Sequence, residues 1–91
     1  MYMTVEELFK VINSARQIKK WPGEYRIYSP GKTVFIYRDE KGLPKNYVSH
    51  TNGTAHPLTD AESHIIDYLV NSVYGMLCKE AALQMATVRI K

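Results

Sequence analysis

Ninety-one residues, 45% of them hydrophobic, with twelve Lys and Arg against nine Asp and Glu for a net charge of +3, describe one small folded domain. That balance excludes an intrinsically disordered chain and a polybasic, histone-like one, and leaves nucleic-acid contact open. The one cysteine, Cys78, excludes an intrachain disulfide and points to a reducing, cytoplasmic setting.

No apolar run approaches the roughly 18 residues of a membrane span. Met1 to Glu7 has neither the basic head nor the apolar run of a secretory leader. Thr4 and Glu7 have the spacing of a helix-capping box, and Val5, Leu8, Phe9, Ile12 and Ala15 follow at helical intervals. Val11 and Ile18 widen that stripe. Arg16, Lys19 and Lys20 are expected in the last turn, where cations suit the helix dipole, with Trp21-Pro22-Gly23 as the stop.

Glu24 to Tyr28 and Thr33 to Arg38 alternate as strands. Ser29-Pro30-Gly31-Lys32 between them is a type II turn signal. Asp39 to Gly42 marks a second turn, a third strand is expected over about Tyr47 to Thr51, and Asn52-Gly53 turns the chain into a stub ending at Pro57. Thr59 and Glu62 cap a second helix, with Leu58 as the hydrophobic staple before it. Ile65, Leu69, Val73, Leu77 and Ala81 give its stripe, broadened by Ile66, Val70 and Met76, and the helix is expected to reach Gln84. Thr87 to Lys91 alternates like a short final strand. The fold class is therefore α+β: an N-terminal helix, a three-stranded antiparallel sheet, a long C-terminal helix and an optional last strand.

Alternation also sorts the sheet residues by face. With Ile27, Val34, Ile36 and Val48 toward a core, the other face carries Arg26, Tyr28, Phe35, Tyr37 and Tyr47, with Lys32 at the hairpin tip. Rings and cations together make a protein-binding surface or, in the alternative, a stacking platform for single-stranded nucleic acid, with Lys19, Lys20, Lys32 and Lys45 as its phosphate rim. Arg38 falls on the opposite side from Arg26. The second helix is long for so small a sheet, which leaves apolar surface for a homodimer.

Catalytic and metal signals are weak by comparison. His50, His56 and His64 match no zinc-ligand motif, and His50 with His56, flanking one turn, is the pair an acid–base site would have to use. Cys78 lies late in a helix, away from the N-terminal position that activates a thiol. Pro30-Gly31-Lys32-Thr33 lacks the first glycine and the following helix of a phosphate loop, so no cofactor is expected. Double-stranded RNA-binding domains share the order helix, three strands, helix, but this second helix opens on Thr59-Asp60-Ala61-Glu62, acidic where phosphate contacts require lysines. The expectation is a non-enzymatic binding protein of the inhibitor or adaptor type, homodimeric, with nucleic-acid binding as the alternative.

Overall fold

The computed structural model describes residues 3–50 and 53–90, with side chains through residue 83. Its elements are α1 (Val5–Asn13), β1 (Gln17–Trp21), β2 (Glu24–Ser29), β3 (Lys32–Arg38), β4 (Pro44–Ser49), β5 (His56–Pro57) and α2 (Asp60–Ile90). The strands form one antiparallel meander in the order β1-β2-β3-β4-β5. The α+β class holds. The three expected strands become five.

The extra full-length strand comes out of the first helix. Thr4 caps α1, its hydroxyl accepting the Glu7 N–H at 3.1 Å. The helix then stops at Asn13 instead of running past Ile18. Ser14 ends it: its N–H and its hydroxyl both donate to the Lys10 carbonyl, at 3.0 and 2.8 Å. Gln17 to Trp21 pair with Tyr28 to Glu24 around a tight Pro22-Gly23 turn. Arg16, Lys19 and Lys20 are therefore not in a helical last turn. Ala15 and Ile18 do reach the core, but Ile18 does so as the single buried residue of a strand.

The second hairpin follows expectation. Gly31 has φ +76° in the turn between β2 and β3, where a type II turn needs a residue free of a Cβ. The next turn is organised by Asp39, whose carboxylate accepts the Leu43 N–H at 3.0 Å and the Lys41 N–H at 2.9 Å. Those two donors hold its carboxyl below the usual range, the Leu43 bond contributing most. Thr51 and Asn52 lie outside the described residues. Beyond them β5 pairs His56 with Tyr47 and Pro57 with Asn46, and covers one end of β4.

At α2 the capping box is complete: the Glu62 N–H donates to Thr59 Oγ1 at 3.2 Å and the Thr59 N–H to Glu62 Oε1 at 2.9 Å. The helix passes Gln84 and continues to Ile90. Thr87 to Ile90 are helical and not a strand, and Lys91 lies outside the described residues. Extending an existing helix adds a hydrogen bond for each residue fixed, whereas a lone four-residue strand needs an edge to pair with. At about 1.5 Å per residue α2 is about 46 Å long, which accounts for the 48 Å long axis of the molecule.

Both helices pack on the same side of the sheet. One cluster joins Leu8, Val11 and Ile12 of α1 with Ile66, Val70 and Val73 of α2 and Ile18, Tyr25, Ile27, Val34, Ile36 and Tyr47 of the sheet. A fully buried Ile or Leu contributes about 1.5–3 kcal/mol, so this layer holds most of the stability. The α2 stripe expected from sequence is rotated: Ile66 is buried and Ile65 is exposed.

Candidate functional site

The register of the meander decides which side chains share the uncovered face. Residues opposite one another on antiparallel strands point the same way. One row across the sheet is Lys19, Arg26, Phe35 and Val48. The row beside it, toward the Pro22-Gly23 turn, is Trp21, Glu24, Tyr37 and Asn46. A third row carries Gln17, Tyr28 and Thr33. Among the described residues no helix lies over these rows.

Four of the expected site residues therefore stand together: Arg26, Tyr28, Phe35 and Tyr37. Two do not. Tyr47 pairs with Ile36 and belongs to the covered face, where it is buried and its hydroxyl donates to the Met3 carbonyl at 2.7 Å. Val48 takes its place on the open face; it is buried but stands outside the core cluster. The reason is the bulge between Tyr37 and Arg38, which shifts the β3–β4 register by one residue and so exchanges the faces of Tyr47 and Val48. Lys32 shares parity with Val34 and Ile36. It turns toward α1, where its ammonium meets the Glu7 carboxylate at 3.5 Å.

Arg26 sits at the centre of the open face. Its guanidinium lies 4.2 Å from the Trp21 ring centroid and 5.4 Å from that of Phe35, both within the range of a cation–π contact. Glu24 accepts from it at 3.3 Å. That bond, with a further one donated to Tyr28, tightens the hold on the Arg26 proton. Its Nε and the Asn46 Oδ1 are buried with no hydrogen-bond partner, one donor and one acceptor on the same face. Lys19 lies 5.7 Å over the Tyr28 ring, and His50 meets Phe35 edge-on at 5.9 Å. Trp21 and Tyr37 are 41% and 39% exposed, so two aromatic rings stand at the surface.

The covered side of the same strands is closed by polar groups that find partners. The Tyr25 hydroxyl donates to Asp67 of α2 at 2.6 Å. Burial first, then that carboxylate, pushes the Tyr25 pKa up to about 12. Arg38, on this side as expected, lies 4.2 Å over the Tyr25 ring and donates to the Trp21 and Gly42 carbonyls, both at 2.7 Å. It ties the first hairpin turn to the Asp39–Gly42 turn. Lys20 also points this way, 5.0 Å over Tyr74 of α2.

The histidines do not converge. His50 is on the open face against Phe35, while His56 stacks on Tyr47 at 5.5 Å on the covered face. His64 lines a shallow open cleft with Arg38, Asp39, Lys45 and Asp60. Among the described residues no group of three or more His, Cys, Asp and Glu is placed to hold a metal ion, and no helix is long and apolar enough to cross a membrane. Cys78 is exposed on α2.

No protein-family model, curated protein or solved structure matches this chain.

Sequence reasoning overlooked Trp21 and Val48 as members of the face and placed Lys19 at its rim. The available signal was Trp21-Pro22-Gly23-Glu24, a two-residue hairpin turn between residues of opposite character. Read as a hairpin instead of a helix stop, it places Lys19 opposite Arg26 and Trp21 beside it.

Proposed function

We propose that this chain is a non-catalytic intracellular binding domain of the inhibitor or adaptor type, acting through protein–protein contacts made by the uncovered sheet face and pairing with a second copy of itself. The observation that carries the reading is the Arg26 guanidinium held against Trp21 and Phe35 on a sheet face over which, among the described residues, no helix lies. Trp, Tyr and Arg are the residues most enriched at interface hot spots, because each combines a large apolar contact with a polar handle. The Glu24 contact and the ring stacking hold the guanidinium in place before a partner arrives, which reduces the ordering entropy of association.

A single-stranded nucleic acid is the second reading, favoured by Lys19 and Arg26 lying on the same side as the rings. It is the weaker fit. Arg26 is engaged by Glu24, Lys20 and Lys32 face the helix side, and tracking a phosphate backbone takes a line of free cations.

The test uses the whole chain as bait against a lysate of its own host, beside a titration with a mixed-sequence single-stranded oligonucleotide at two salt concentrations. A defined protein retained by wild type and lost with Tyr37→Glu or Arg26→Ala supports the first reading. Salt-sensitive oligonucleotide binding that the same substitutions abolish replaces it with the second.

A further inference from the structure

The second apolar surface lies on α2, away from the sheet. Ser63, Ile66, Val70 and Val73 seat the helix on the body. About a third of a turn around the helix, at 100° per residue, a different set faces outward: Ile65, Tyr68, Met76 and Leu83 are between 53% and 76% exposed. Half-buried Leu69 borders both. Leu69, Met76 and Leu83 fall seven residues apart, and the sequence places Ile90 seven further on. A seven-residue apolar period is the pattern of a helix paired with another helix.

Two more observations single out a helix as the occupant. Residues 78–83 are all exposed, yet the helix backbone continues to Ile90. An isolated helical segment shorter than about 12 residues is marginal in water, so a run of exposed helical residues gains by packing on another surface. Gly75 sits mid-helix on the exposed side, on one line with Tyr68 and Ala82, and a Cβ there would meet nothing in this chain within 4 Å. Crowding within the chain therefore gives no reason for that glycine, whereas close approach of a second backbone does.

We infer that α2 pairs with α2 of a second copy, antiparallel, crossing near Gly75 and Met76. This rests on the self-pairing in the reading above and names its seam. A second copy fits because the surface is self-complementary about that crossing: Tyr68 of each chain lies over the small Ala82 of the other, and each overhang lies along the body-supported half of its partner. Five large side chains, at about 100 Å² each, bury about 1,000 Å² between two protomers, the threshold for a specific interface. Antiparallel order also keeps Lys79, which lies among these residues, from meeting its own copy, as a parallel pair would require.

The experiment is light scattering on the full chain and on Met76→Glu and Leu83→Glu, with spin-label distances from His64→Cys in a Cys78→Ser background. Both glutamates are at exposed helical sites, and thermal unfolding followed by circular dichroism verifies that each variant still folds. The expected result is a wild-type dimer, monomeric Met76→Glu and Leu83→Glu, and labels about 35 Å or more apart, from the axial rise between residue 64 and the crossing. A monomeric wild type overturns the proposal, as does a dimer with labels within about 20 Å, the parallel arrangement. A dimer that survives both glutamates but dissociates with Tyr37→Glu places the self-contact on the sheet and overturns it too. Partner capture that depends on Tyr37 while the chain is monomeric would leave the sheet-face reading standing and remove this one.

Discussion

Ile36 and Tyr37 are neighbours on β3 with opposite fates. Ile36 points into the layer shared with both helices, and no part of it meets solvent. Tyr37 points into a row with Trp21, Glu24 and Asn46 that no described element covers. The covered face is apolar at its centre and closes its polar edge with defined hydrogen bonds, Tyr25 to Asp67 and Tyr47 to Met3. The open face mixes rings with charge and holds two buried polar atoms without partners. One face thus carries the stability of the fold, and the other presents rings and charge that the core does not use.

The largest expected effect separates these neighbours directly. Ile36→Ala should lower stability by about 2–5 kcal/mol, the usual range for a large-to-small change in a packed core. Tyr37→Ala should cost about 1 kcal/mol or less. Denaturant melts of the two variants check this, and equal losses would show that the open face is packed in the folded chain.

A pH series tests the covered face through Tyr25. Its pKa rises from 10.0 to about 12 on folding, so the native state holds the phenolic proton more tightly than the unfolded chain. The sign follows: the contribution is fully present below pH 10 and is lost as pH climbs from 10 to 12. At about 1.4 kcal/mol per pH unit, linkage sets its upper size at about 3 kcal/mol. Tyr25→Phe should be less stable at neutral pH, because Asp67 loses its donor, and should show a shallower decline through that window. Tyr47, also raised, chiefly by burial, keeps part of the slope.

Tyr47→Phe removes the bond to the Met3 carbonyl and should cost about 1 kcal/mol. Tyr28→Phe on the open face should be nearly neutral for folding. Arg26→Ala should change stability less than Ile36→Ala, because the guanidinium is only part-buried, yet it should weaken partner binding about 30-fold, the size of one hot-spot contact. Binding isotherms beside melts separate the two quantities.

Much of this division was readable from the chain. Strict alternation in β2 and β3 placed Ile27, Val34 and Ile36 on one side and Arg26, Tyr28, Phe35 and Tyr37 on the other, and the Pro30-Gly31 and Thr59–Glu62 signals placed a turn and a helix start. The failures have specific causes. β1 shows the core a single buried residue, Ile18, so it has no two-residue period to detect, and Ala15 and Ile18 continued the helical spacing of α1. Tyr47 and Val48 exchanged faces because a bulge at Tyr37–Arg38 is a backbone event with no residue type that demands it. The α2 stripe was misplaced because apolar residues occur on more than one side of that helix, and spacing alone does not say which side meets the sheet.

Trp21 is the chain's one tryptophan and stands on the open face, so its fluorescence reports that face alone. The most direct measurement records its emission and iodide quenching in the free chain and then with the protein recovered on the wild-type bait. The account predicts a solvent-exposed, quenchable indole that shifts to the blue and becomes protected on binding. Unchanged emission and quenching, with full affinity retained by Trp21→Ala and Arg26→Ala, would contradict the assignment of this face as the binding surface.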